Sequence, residues 1–223
     1  MNFFKENCPQ QFPHIKVIAY GIENLRTNSR HVAHVRNKFQ ICSPYLLYVG
    51  GFERDKNVVN LIEAFGKACN SSNQMLILTG PAPTKHRILI ERVIRKNSNV
   101  KDLGYVTDHD LSALYSGADF FISSSLDEGF GFCPLEALQC GTPLICSDIP
   151  CFREVMGRRA IYFNPYDIDN MAQRIRYALQ NKQKIRTDMD EKKIISKFNW
   201  KHAASETVEL YRRIIKTSST HEN

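Results

Sequence analysis

Short apolar runs rich in β-branched and aromatic residues recur along the chain, and longer amphipathic stretches separate them. The runs are "IKVIAY" (15–20), "YLLYVG" (45–50), "MLILTG" (75–80), "DFFISS" (119–124), "PLICS" (143–147) and "AIYF" (160–163). Strands that are apolar throughout must be buried on both faces, which is the signature of a parallel sheet sandwiched by helices. The amphipathic pattern predicts helices over 57–69, 84–97, 108–116, 134–140, 167–180 and 201–216, with shorter ones near 151–156 and 188–197. Punctuation agrees: Asn57 and Asp108 suit helix starts, Pro134 suits a first helical position, and Gly141 with Pro143 stops a helix. The fold class is α/β, a doubly wound parallel sheet whose ligands bind at the carboxyl ends of its strands.

Residues 1–40 fit this alternation poorly. After one strand-like run they turn polar, in "NLRTNSRHVAHVRNKFQ", and read as an arm or linker. Residues 41–200 form the expected ligand-binding domain, and 201–223 a terminal helix with a tail, "TSSTHEN", expected to fray; Trp200 is expected to anchor that helix. With 43% hydrophobic and 24% charged residues the chain can bury a real core. No apolar run is long enough to span a bilayer, and "MNFFKENCPQQF" lacks a secretory apolar region, so a cytoplasmic location is expected. The seven cysteines include no C-x-x-C pair and are expected to be reduced and structural, with no metal site. His31 and His34 share a helical spacing, but no neighbouring acid or cysteine completes a ligand set, so they are expected to face solvent.

The net charge is +7. Its cations are spread over "KHRILIERVIRK", "KQKIRTDMDEKK" and "YRRIIK", mixed with acids and apolar positions, as on solvated helix faces. No basic motif interleaved with aromatics appears, so nucleic acid is not an expected partner. Peripheral contact with the cytoplasmic membrane face fits the charge better.

Two stretches carry chemistry. In "YVGGFERDKN" (48–57) a buried strand ends in Gly50-Gly51, with Arg54 and Lys56 just before a helix. Glycines there let backbone amides approach an anion, and a lysine can reach a phosphate as a point charge. A tight strand-to-helix turn with surface cations reads equally well on this stretch alone. Neither a complete G-x-G-x-x-G nor a G-x-x-x-x-G-K-[ST] is present, so classical dinucleotide and Walker-type NTPase readings lack support.

The second stretch is "SLDEGFGFCPLEALQCGTP" (125–143). Glu136 falls in the expected first helical turn, where the helix dipole favours an acid by about 0.3–1 kcal/mol, a purely structural reason to be there. Glu128, in a glycine loop at the ligand-binding edge, has no such reason. Two carboxylates accept hydrogen bonds from vicinal hydroxyls, and the loop amides of Gly129, Phe130, Gly131 and Phe132 suit an anion between them. A sugar joined to a nucleotide by a diphosphate has that pattern.

The E-x7-E pattern of Glu128 and Glu136 resembles the donor-binding half of GT-B retaining glycosyltransferases, family four in particular. "YVGGFERDKNVVNLIEAF", "GYVTDHDLSALYSGADFFISSSLDEGFG", "YFNPYDIDNMAQRI" and "FNWKHAASETVELYRRII" resemble that family's C-terminal domain, in its order. The resemblance implies a Rossmann-like sheet, the C-terminal half of a GT-B fold, and transfer of a hexose from a GDP- or UDP-linked sugar to a saccharide or lipid-linked acceptor. It implies that Glu128 contacts the transferred sugar as the catalytic carboxylate and that Glu136 holds the ribose hydroxyls. Lys56 and the amides of Gly129–Phe132 would then cradle the diphosphate, and main chain at Tyr105 and Val106 would border the base. No cofactor or metal is implied. Relatives commonly carry an arginine where this chain has Gly51, and Arg54 is the expected substitute. The similarity begins at "HIKVIAYGIEN", so either a second polypeptide supplies the N-terminal half as a partner, or the chain is a truncated product or a fragment. A non-catalytic nucleotide-sugar-binding subunit or remnant, and an epimerase of the same fold, are the alternatives left open.

Overall fold

The computed structural model describes residues 16–25, 27–69, 72–81, 84–187 and 195–219. It contains a six-stranded parallel sheet of β1 (Tyr45–Val49), β2 (Met75–Thr79), β3 (Val100–Asp102), β4 (Phe120–Ser123), β5 (Leu144–Ser147) and β6 (Ala160–Phe163). The order across it is β3-β2-β1-β4-β5-β6. Helices α1 (Ser29–Lys38), α2 (Val58–Cys69), α3 (Thr84–Ile94), α4 (Asp108–Gly117), α5 (Phe132–Gln139), α6 (Pro150–Met156), α7 (Ile168–Gln180), α8 (Lys182–Thr187) and α9 (Trp200–Ser219) follow the chain.

Alternate strand residues divide between the two faces. Leu46, Tyr48, Leu76, Leu78, Phe120, Ile122, Ile145 and Phe163 pack with α2, α7 and Ile90 of α3 in one core. The intervening residues Tyr45, Leu47, Ile77, Phe121 and Leu144 are equally buried. On their side Tyr45 donates its hydroxyl to the Leu114 carbonyl of α4 at 2.7 Å, and the Tyr115 and Phe121 rings meet at 5.8 Å. Burial on both sides explains the uniformly apolar strands, each large side chain stabilising the fold by about 1.5–3 kcal/mol.

The described residues of Asn24–Lys192 form one compact unit, and those of Met1–Glu23 with Lys193–Asn223 form another. Within the second, Lys16 pairs with Glu206 at 3.0 Å and the Ile22 amide donates to the Phe198 carbonyl. Trp200 starts α9 with its indole edge-on to Tyr20 and against Gly21. The expected strand at 15–20 does not form: residues 16–20 are irregular, with Val17 and Tyr20 about half exposed. A β-branched run without a neighbouring ladder has nothing to pair with.

Two elements escaped the pattern. Residues 29–38, expected as part of an arm, form α1; Asn28 caps it by accepting from the His31 amide, and Val35 is buried. Strand β3 carries one apolar residue in three because it lies at the sheet edge. Helix α9 continues through Ser219, three residues into the tail expected to fray. Most of the helix expected at 188–197 lies outside the described residues. Among the described residues no helix is long and apolar enough to cross a membrane.

Candidate functional site

The strand order locates the crevice. From β1 the chain winds outward through β2 to β3, and from β4 it winds the opposite way through β5 to β6. Neighbouring β1 and β4 are therefore the topological switch point, and ligands of such sheets bind in the crevice at the carboxyl ends of the strands there. The loops after β1 and β4 carry the strand-end turn of the stretch 48–57 and the start of the stretch 125–143 singled out above.

Two hydrogen bonds to backbone carbonyls hold the loops together. Ser124 donates its hydroxyl to the Lys56 carbonyl at 2.8 Å, and the Leu126 amide donates to the Asp55 carbonyl at 2.7 Å. Arg54–Lys56 form one 3-10 turn, and Asn57 follows with φ +58. The Asn57 side chain, expected to cap a helix, instead donates to the Pro165 carbonyl at 2.8 Å. This turn aims Lys56 Nζ at Glu128 Oε1, 2.9 Å away, with Asp55 Oδ2 at 3.3 Å. Ser125 donates its hydroxyl to the same Glu128 oxygen at 2.8 Å. Partial burial works against the Lys56 charge, but hydrogen bonds to Glu128 and then Asp55 outweigh it and raise the ammonium above the ordinary lysine value.

Of the turn glycines, the Gly50 amide donates to the Thr79 carbonyl at 3.0 Å, and the Glu53 carboxylate lies where a Gly51 side chain would go. Arg54 is exposed beside them. Across the cleft, Gly129 is exposed and Gly131 takes φ +93 ahead of α5, packed so that a Cβ would come 3.0 Å from the Phe152 ring. Phe130 and Phe132 flank it with their rings 4.8 Å apart.

Helix α5 begins at Phe132, two residues before Pro134, so Glu136 lies in its second turn with no first-turn dipole to explain it. Its carboxylate Oε2 instead accepts from the Tyr115 hydroxyl of α4 at 2.8 Å. Burial raises the Glu136 carboxyl above its usual range, opposed by the Tyr115 hydrogen bond. Cys133, one turn earlier, bonds to Tyr115 and feels both Glu136 and Glu128; burial first, then Glu136, pushes its thiol up to about 12.

Tyr105 and Val106 follow β3, two strands from the switch point. Gly104, at φ +64, makes the turn and accepts from the Gly80 amide and the Thr79 hydroxyl. Tyr105 is 77% exposed there and Val106 is buried. Tyr115, Cys133 and Ser125 were not singled out in the sequence; each reads as an ordinary core or loop residue until α4 and α5 are placed side by side.

The model of the family described as glycosyl transferases group 1 matches residues 29–195, three quarters of the chain and all of this site. The chain belongs to the glycosyl transferases group 1 family. O-antigen chain mannosyltransferase B of Escherichia coli is 31% identical over 185 residues, covering 80% of this chain and 48% of that protein. Sucrose-phosphate synthase from Thermosynechococcus elongatus superposes with a TM-score of 0.75 at 25% identity, over 91% of this chain and 53% of that one. Anabaena HepE, solved in complex with UDP and glucose, gives 0.68 at 21% identity over 92% of this chain and 57% of its own. The chain thus spans about half the length of these relatives. Within this family its sheet is the Rossmann-like half of a GT-B fold.

Proposed function

We propose that this chain is the donor-binding half of a retaining glycosyltransferase that moves a hexose from a nucleotide diphosphate sugar to a saccharide or lipid-linked acceptor. The observation that carries the reading is the Lys56–Glu128 pair held at the switch point, with Glu136 on the helix that follows the Glu128 loop. Such a ligand needs cation, carboxylate and carboxylate in that neighbourhood. Glu136 accepts from the ribose hydroxyls, Lys56 and the amides of the Gly129–Phe132 loop meet the diphosphate, and Glu128 accepts from hydroxyls of the sugar. As the glycosidic bond breaks, charge grows on the leaving diphosphate, and preorganised donors stabilise it there. The mannosyltransferase relative supports mannose as the hexose, and HepE supports a uridine or related diphosphate.

A GT-B cleft lies between two walls, and closure supplies acceptor contacts and excludes water. A second polypeptide bearing the N-terminal half is the proposed partner, and the chain alone binds donor without transferring it. A purely binding, non-catalytic role of this chain is the second reading. The test is thermal unfolding with a panel of UDP-, GDP- and ADP-sugars, followed by transfer assays with and without a co-expressed N-terminal half. Selective stabilisation by one nucleotide class supports the site, since a ligand for the native state raises its stability. Transfer only in the pair supports the enzyme, and donor binding without transfer in either case supports the second reading.

A further inference from the structure

Away from the β1–β4 loops, α1 packs against α4 and brings His31, His109 and Asp110 together. His34, which shared a spacing with His31 in sequence, is exposed and takes no part. The acid that sequence spacing could not supply comes from 79 residues away. His31 Nε2 stands 3.4 Å from Asp110 Oδ1 and His109 Nδ1 3.6 Å from the same oxygen. The three ligand atoms all lie within 4.8 Å of one another, and the two imidazole rings face each other at 4.0 Å.

We infer that His31, His109 and Asp110 form a binding site for a divalent transition-metal ion of the zinc class, apart from the sugar-nucleotide cleft. Nitrogen and oxygen ligands at about 2.0–2.1 Å from a tetrahedral zinc stand about 3.3 Å apart, and both nitrogen-to-carboxylate distances lie within a few tenths of an ångström of that. Two imidazoles and one carboxylate select a transition metal over magnesium or calcium. The surroundings also match a metal-ligand shell. His31 Nδ1 is 3.0 Å from the Thr27 hydroxyl, so a proton held there leaves the Nε2 lone pair facing Asp110. Lys38 bonds the other carboxylate oxygen, Oδ2, at 2.5 Å, which orients the group and leaves Oδ1 to the histidines. Asp110 is buried, while His109 is 80% exposed and gives an ion a path in and an open position for water. An ion bound there ties α1 to the start of α4, directly after the loop carrying Tyr105 and Val106.

The test is titration of the chelator-stripped chain with Zn2+, read by calorimetry and thermal unfolding, and with Co2+, read by visible absorption. The expected result is one equivalent bound, tetrahedral Co2+ bands without thiolate charge transfer, and affinity reduced at least about tenfold in His109→Ala. Because His109 is exposed, that variant folds even if His31→Ala does not. Thr27→Ala should weaken binding by about 10-fold, and His202→Ala, at a separate His–Glu pair on α9, should leave it unchanged. Absence of binding, affinity unchanged in His109→Ala, or thiolate bands that make a cysteine the ligand would each overturn the assignment.

Discussion

Lys56 and Glu128 lie 72 residues apart in sequence and 2.9 Å apart in space, joined Nζ to Oε1 where β1 and β4 release their loops. In the unliganded protein each neutralises the other, so the cleft keeps a cation ready without leaving it unpaired. On the proposed reading, a diphosphate draws Lys56 away or shares it, and a sugar hydroxyl does the same with Glu128.

Lys56→Met should weaken nucleoside diphosphate binding by about 1.5–3 kcal/mol, the usual worth of a hydrogen bond to a charged group. Calorimetry with UDP and GDP measures it. Equal affinity in a folded variant would put the diphosphate elsewhere.

Glu128→Gln should spare nucleoside diphosphate binding and impair binding of the intact sugar donor. The side chain keeps its shape and can still accept from Ser125, so folding is retained. Damage to UDP or GDP affinity as large as the damage to donor affinity would remove Glu128 from the sugar side.

Tyr115→Phe tests a residue that never touches the ligand in this account. Its hydroxyl orients Glu136 from behind at 2.8 Å. The expected loss in nucleotide affinity is about 0.5–1.5 kcal/mol, smaller than the roughly 1.5–3 kcal/mol expected for Glu136→Ala. In a Glu136→Ala background the Tyr115 change should cost nothing further in nucleotide affinity, and a double-mutant cycle reads that directly.

Glu136 also links the site to stability. Burial raises its carboxyl in the folded state, so the native protein holds that proton more tightly than the unfolded chain does. The group's stabilising contribution is present at low pH and is lost as pH rises through the folded-state value. Glu136→Gln should therefore raise the melting temperature of the unliganded protein at neutral pH while weakening nucleotide binding. The gain should fade as pH falls into the carboxylate range. A melting temperature that drops at neutral pH would mean the charged form is held by contacts other than Tyr115.

Strand positions were legible because both sheet faces are covered, which makes β1, β2, β4 and β5 apolar throughout. Edge strand β3 and helix α1 were not, since each has one mostly solvated side and a sequence that is locally polar. The run at 15–20 shows the converse: Val17 and Ile18 have strand propensity, but no partner ladder forms among the described residues. At the site, Lys56, Glu128 and Glu136 stood out as charged residues beside glycine turns. Tyr115, Cys133 and the His31–Asp110 pair did not, because their roles depend on which helices the fold brings side by side.

On the proposed reading, the β1–β4 cleft binds a nucleotide diphosphate sugar through Lys56, Glu128 and Glu136. Its most direct test is calorimetric titration of UDP- and GDP-linked hexoses into the 223-residue chain and into Glu136→Ala. The expected result is weak binding of one nucleotide class, about −5 kcal/mol or less favourable, and loss of that binding in the variant. Donor affinity that is the same in both proteins, or no donor bound by the wild-type chain at any accessible concentration, would contradict it.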